Sequence, residues 1–193
     1  RLARFPSWAA SSRRNTVLVC ACFAVFMSSV LFFVPHAASV NNGDFGRMMD
    51  SLDIMWESDI YFNTSEQLAN KAVETYAYRT PFQWQRLTFL EPSYSLVYPA
   101  GIVRLLTEPF GLPFNTYLLS IVMTLAAVLC VVSVVRDLYP VFGRFTLAFG
   151  IAMSAMFLCE SYLVWFNSLF GEGCILLGML MTVACAVHLS VLP

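Results

Sequence analysis

The sequence predicts an all-α integral membrane protein: about four transmembrane helices with a large first extracytoplasmic loop containing interfacial amphipathic helices. Three observations predict it. Of 193 residues, 59% are hydrophobic and 12% charged, against about a quarter charged in a soluble domain. The apolar residues gather into four runs of roughly the length that crosses about 30 Å of hydrocarbon. Arginines stand before the first run and between the second and third, the pattern that sets orientation by positive charge on the inner side. A net charge of -1 leaves no basic surface of the kind that binds nucleic acid.

Each element follows in chain order. Residues 1–15 carry Arg1, Arg4, Arg13 and Arg14 and read as a cytoplasmic tail. Residues 16–35 form the first crossing, closed by Pro35, and lack the small-x-small cleavage pattern of a signal peptide. Residues 36–111 form the extracytoplasmic loop, which is rich in acidic residues. Within it, Phe45, Met48, Met49, Leu52, Met55 and Trp56 recur at helical spacing, so an interfacial helix is expected over about 44–60. A second stripe, with Pro99 as a kink, predicts another over about 93–107. The second crossing is placed at 112–135, a short cytoplasmic link at 136–140, and the third crossing at 141–159 with Arg144 snorkelling at its inner end. An outer link at 160–173 leads to the fourth crossing at 174–193. The chain opens at Arg1 and stops at Pro193, so it reads as the amino-terminal part of a longer protein, truncated after the fourth crossing. All six cysteines lie in or beside apolar runs, where they read as small buried residues rather than as a disulfide framework.

Two polar motifs flank these runs. Asn41-Asn42-Gly43-Asp44-Phe45-Gly46-Arg47 follows the first, and Asn167-Ser168-Leu169-Phe170-Gly171-Glu172-Gly173 separates the third from the fourth. Counting crossings puts both on the extracytoplasmic side. Asp44 stands where the interfacial helix would be capped. The same carboxylate also suits a general base that takes the proton of an attacking hydroxyl, an effect of ~10²–10⁴-fold in rate. Arg47, three residues on, either pairs with Asp44 or Asp50 or holds a phosphate with its planar fork. Glu172 is an acidic residue at a helix start, favourable there in itself, and a second candidate carboxylate. Asn167 and Ser168 suit a hydroxylated ligand. Trp165 belongs either to an interfacial aromatic belt or to a stacking surface for sugar. His36 and His188 stand in no metal-ligand spacing, and no Walker or dinucleotide-binding motif occurs.

The residues that carry these motifs resemble a family. A single crossing, then Asn41-Asn42-Gly43-Asp44-Phe45-Gly46-Arg47, an interfacial helix, and after the third crossing Trp165-Phe166-Asn167-Ser168-Leu169-Phe170-Gly171-Glu172 is similar to bacterial polytopic glycosyltransferases of the GT-C fold. It resembles in particular the hexose transferases of surface-layer and cell-wall glycan biosynthesis, whose pattern runs roughly N-D/N-G-D-F-x-R … N-S-F-Y-G-E. Leu169 and Phe170 replace the usual pair in the second motif. The resemblance covers almost the whole chain, but only the amino-terminal part of such an enzyme. It implies a multi-pass protein of the bacterial plasma membrane with its amino terminus in the cytoplasm. It implies a polyprenyl-phosphate sugar donor, a glycan or lipid-linked acceptor on the outer face, and a catalytic carboxylate that falls on Asp44. Asn42, Arg47, Trp165, Asn167 and Ser168 are then the expected substrate contacts, with Asp44 and Glu172 the expected catalytic carboxylates. A divalent cation, Mg²⁺ or Mn²⁺, would take oxygen ligands such as Asp44. Two other functions suit the same features: a transporter or flippase for a lipid-linked glycan, which needs polar residues deep in its crossings, and a non-catalytic membrane assembly subunit.

Overall fold

A computed structural model describes residues 7–29, 45–56, 75–81, 95–169 and 171–191. It is mostly helical rather than all helical. Helix α1 (Ser7–Ser28) is followed by the short α2 (Phe45–Leu52), strands β1 (Ile54–Trp56) and β2 (Thr75–Tyr78), and helix α3 (Val97–Thr107) with a 3-10 turn at Glu108–Phe110. Strand β3 (Phe114–Asn115) leads into the long α4 (Thr116–Phe142), then α5 (Phe145–Phe157), the single turn α6 (Glu160–Leu163) and α7 (Glu172–Val191).

Helix α4 is the axis of the bundle. It packs against α1, α5 and α7, and α3 packs near its start. Leu119, Met123, Ala127, Val131, Val134 and Val135 on α4 are fully buried. Gly173 at the start of α7 lies against Met123, while His188 near its end meets Asp137. The two helices therefore run parallel, with their starts at the same end of the molecule. Among the described residues two helices, Thr116–Phe142 and Glu172–Val191, are long and apolar enough to cross a membrane. Helix α5 has 13 residues, which span ~20 Å at the helical rise, short of ~30 Å of hydrocarbon. Close approach holds α5 in place: a Cβ on Gly150 would stand 2.5 Å from Cys20 Sγ on α1 and 2.7 Å from Val135 Cγ2 on α4.

Several boundaries differ from those expected, each for a physical reason. The helix expected over 44–60 ends at Leu52 within the described residues, because Asp53 turns to φ 57 and the chain enters β1. Beyond Trp56, the rest of that span lies outside the described residues. Pro99 falls in the first turn of α3, where its missing N–H is not needed, so it makes no mid-helix kink. The apolar residues Tyr98, Ile102, Leu105 and Leu106 of that helix are exposed, and its buried face is Val97, Ala100, Val103, Arg104 and Thr107. The link expected at 136–140 is helical: α4 runs through Pro140 to Phe142 and turns at Gly143. A proline at 140 deprives the carbonyl four residues back of its N–H partner, and Arg13 Nη2 of α1 donates to that Arg136 carbonyl at 3.0 Å.

The sheet is antiparallel in the order β1-β2-β3, with Ile54 opposite Tyr78, Trp56 opposite Tyr76, and Tyr76 opposite Phe114. Phe114 meets the rings of Tyr76 and Tyr78 edge-on at 6.2 and 6.4 Å, and Tyr76, Ile54 and Phe114 are buried. Asn115 joins this sheet to the bundle. It pairs with Thr75 in the ladder, and its Oδ1 accepts from the N–H groups of Tyr117 and Leu118 at 2.8 and 3.2 Å, capping α4.

Candidate functional site

Helix α2 and the second motif both lie at the sheet end of the bundle. Helix α2 starts at Phe45, immediately after Asp44, and holds Arg47 in its first turn. Asn42 and Asp44, expected as substrate contact and catalytic base, lie outside the described residues, as does the side chain of Arg47. The far end of α2 is described in full. Met49 and Leu52 are buried, and α2 packs on β1 and α3.

At that far end a cluster of charged groups locks helix, sheet and α3 together. Asp53 and Arg104 are 6% and 7% exposed, so their charges rely on protein partners rather than water. Arg104 Nη1 lies 3.6 Å from Asp53 Oδ2, its Nε donates to Glu108 Oε2 at 2.7 Å, and its Nη2 donates to the Thr80 carbonyl. The Thr80 hydroxyl donates to Asp53 Oδ2, and the Arg79 N–H donates to the Asp53 carbonyl at 3.0 Å. The Arg104 guanidinium sits 4.7 Å above the Tyr78 ring, within cation–π range. The Thr107 hydroxyl gives its hydrogen to the Val103 carbonyl at 2.9 Å, so the Tyr78 phenol donates in their 2.6 Å contact. Burial pushes the Tyr78 phenol up, and burial also raises Tyr76. All three guanidinium nitrogens of Arg104 are engaged, so this arginine fixes the scaffold instead of offering a fork to a phosphate. Outside it, the Arg79–Asp50 pair is exposed and of the kind worth ~0–1 kcal/mol.

The second motif is a tight loop between α6 and α7. Phe166, Asn167, Ser168 and Leu169 are all buried, and Trp165 is half-buried against the core. Ser168 Oγ donates to the Trp165 carbonyl at 2.9 Å, so the hydroxyl expected to meet a ligand braces its own loop. Asn167 Oδ1 is buried and has no hydrogen-bond partner among the described residues, an arrangement that folded proteins rarely leave unfilled. Glu172 is exposed in the first turn of α7. Gly173 lets the loop close: a Cβ there would stand 2.8 Å from the Trp165 carbonyl oxygen and 3.0 Å from Met123 Cε. The Cys174 thiol lies beside Ser95, which puts this loop near the start of α3.

The arrangement is thus a frame with α3 as its crossbar. The second motif abuts the first turn of α3, and the Asp53–Arg104–Glu108 cluster closes its last turn. The whole helix has eleven residues, ~16 Å of length. The structure brings Trp165, Asn167, Ser168 and Glu172 into one loop, with the backbone of Arg47 at the same end of the bundle. Among the described residues no group of three or more His, Cys, Asp or Glu is placed to hold a metal ion, and Asp44, the one expected ligand, lies outside them. Sequence reasoning passed over Asp53, Tyr78, Thr80, Arg104 and Glu108. The signal available was the i,i+4 spacing of Arg104 and Glu108, with Arg104 in phase with Val97 and Ala100 on the buried face.

Such a frame, a helical membrane bundle topped by a small sheet and an apolar helix, defines a membrane protein with one elaborated end. A scan of family models matches residues 5–191 to the YfdI N-terminal transmembrane domain. The chain belongs to that family. No curated protein and no solved structure matches it.

Proposed function

We propose that this chain forms the membrane and site-bearing portion of a glycosyltransferase that moves a hexose from a polyprenyl-phosphate donor to a glycan or lipid-linked acceptor at the extracytoplasmic face. The carrying observation is that helix α2, whose first turn holds Arg47, and the loop of the second motif lie at one end of the bundle. Helix α2 is locked at its far end by Asp53, and the Trp165–Gly173 loop is locked by Gly173. Membership of the YfdI family, a membrane family, supports the same reading.

In this reading, four crossings place the sheet end outside and the arginine-bearing end inside. A sugar on a lipid phosphate reaches such a site, whereas a cytoplasmic nucleotide sugar does not. The acceptor hydroxyl oxygen attacks the anomeric carbon and its proton passes to Asp44. The bond from that carbon to the phosphate oxygen breaks, and the electron pair leaves with the polyprenyl phosphate. Arg47 and the first-turn N–H groups of α2 offset the charge on the departing phosphate. Direct displacement inverts the anomeric configuration. Asn42, Trp165, Asn167 and Ser168 bind substrate, the buried Asn167 oxygen accepting from a sugar hydroxyl, and Glu172 is the second carboxylate. Oxygen ligands such as Asp44 suit Mg²⁺ or Mn²⁺, and no step above depends on the ion.

The test is transfer of labelled hexose from pooled polyprenyl-phosphate donors by membranes that contain the full-length protein. Transfer with inverted configuration is expected. An absence of transfer gives the function to the transporter or assembly-subunit reading, and a retained configuration contradicts the direct displacement.

A further inference from the structure

The end of the bundle opposite the sheet holds a second feature that the transferase reading leaves unused. A cleft of about 290 Å³ opens between α1, α4 and α7, lined by Arg13, Asp137, Pro140, Val141, His188 and Val191. Its polar wall is pre-positioned by the bundle itself. Arg13 reaches across from α1 to the Arg136 carbonyl that Pro140 orphans, and that bond uses one of the five N–H donors of a guanidinium. Asp137 is buried, and Arg136 holds both its oxygens, Nε at 2.8 Å and Nη2 at 3.3 Å. His188 Nδ1 sits 2.8 Å from Asp137 Oδ2, which orients a ring that is itself half exposed. Arg14 and Arg144 lie exposed at the same end. Arg136 alone pairs with the buried carboxylate, and Arg13 lines the cleft beside it, so the region carries surplus positive charge next to an open polar cleft.

We propose that this cleft binds the phosphate of an anionic glycerophospholipid headgroup, with Arg13 and His188 as its donors. The proposal rests on the chain spanning a bilayer, and is independent of what the sheet end catalyses. Basic pockets between membrane helices at the inner surface take such headgroups. Both ring nitrogens of an imidazolium donate, so His188 can serve Asp137 with one and the bound anion with the other. Val141 and Val191 supply an apolar rim for the glycerol and the start of the acyl chains, which a free phosphate ion does not use. A choline headgroup brings its own positive charge to Arg13 and is disfavoured.

The experiment titrates the full-length protein, in a neutral detergent, with short-chain phosphatidylglycerol, short-chain phosphatidylcholine and inorganic phosphate, and reads binding by calorimetry. Phosphatidylglycerol should bind at least about tenfold more tightly than phosphatidylcholine, the size of one charge-assisted hydrogen bond. His188→Gln should lose about tenfold of that affinity. Val141→Trp, which fills the cleft from its exposed rim without touching the charged groups, should abolish it, so the test survives poor folding of either variant. Equal binding of the two lipids overturns the proposal, as does phosphatidylglycerol affinity unchanged by both variants. Inorganic phosphate binding as tightly as phosphatidylglycerol also overturns it, and marks the cleft as a site for a free anion.

Discussion

Arg104 of α3 and Asp53, the residue that ends α2, face each other at 3.6 Å with both side chains 8% exposed. Neither charge has bulk water to fall back on. Removing one partner of a buried pair leaves the other uncompensated, at a cost of ~3–5 kcal/mol. Arg104→Met is therefore expected to lower the unfolding midpoint of the purified protein sharply. Arg104→Lys should recover little of the loss, because an ammonium does not match the Thr80 carbonyl, Asp53 and Glu108 together. A thermal or denaturant melt followed by tryptophan fluorescence checks both; an unchanged Arg104→Met melt would show that the cluster does not hold the sheet.

The same cluster gives a pH dependence at the alkaline end. Burial raises the Tyr78 phenol above its ordinary 10.0, and Tyr76 likewise. The folded form thus binds the phenolic proton more tightly than the unfolded chain does. That contribution is fully present below about pH 10 and is lost as pH rises through the folded values. Tyr78→Phe deletes the share that belongs to Tyr78, along with its bond to Thr107, at about 1 kcal/mol. Melts across the range from neutral to strongly alkaline pH should show a shallower decline for Tyr78→Phe than for the native protein.

Arg13 and Pro140 should be coupled although they lie on different helices. Arg13 satisfies the Arg136 carbonyl that Pro140 leaves without its helical N–H. Arg13→Gln is expected to destabilise the native background by about 1 kcal/mol. With Pro140→Ala, position 140 regains an N–H and the loss should shrink. A double-mutant cycle measures the coupling, and strict additivity would separate the two residues.

Gly173 is expected to resist even the smallest substitution. A Cβ at this position meets the Trp165 backbone carbonyl at 2.8 Å, and a backbone atom does not move aside cheaply. Gly173→Ala should cost ~1–3 kcal/mol as overpacking. Because the displaced loop carries Asn167 and Ser168, it should also lower sugar transfer more than Gly171→Ala, where a Cβ finds open space.

The long apolar helices were legible because hydropathy sums over some twenty residues, and α4 and α7 overlap the runs read at 112–135 and 174–193. The sheet was not, because strands of three, four and two residues are too short to show a period of two. The end of α2 was hidden in a single backbone angle at Asp53, where a short polar side chain tolerates φ > 0. Residues 136–140 read as a link, and the partner that lets the helix continue through Pro140 lies on another element, at Arg13. Arg104 was not singled out on the second apolar stripe. Its role emerges only when Asp53 and Thr80, distant in sequence, reach it. Asn167 and Ser168 were legible as polar residues between two apolar runs, but not their burial, which depends on Gly173 closing the loop. Asn42 and Asp44 lie outside the described residues, and their roles rest on the motif alone.

The transferase account stands most directly on Asp44. The decisive measurement is transfer from pooled polyprenyl-phosphate hexoses in membranes that express equal amounts of the native full-length protein and of Asp44→Asn. Asparagine keeps the size and capping ability of the aspartate and removes the base. The account predicts that the native protein transfers sugar and that Asp44→Asn loses ~10²–10⁴-fold of that rate. Equal transfer by the two proteins would contradict it, reducing Asp44 to a helix cap and leaving Glu172 as the next carboxylate to test.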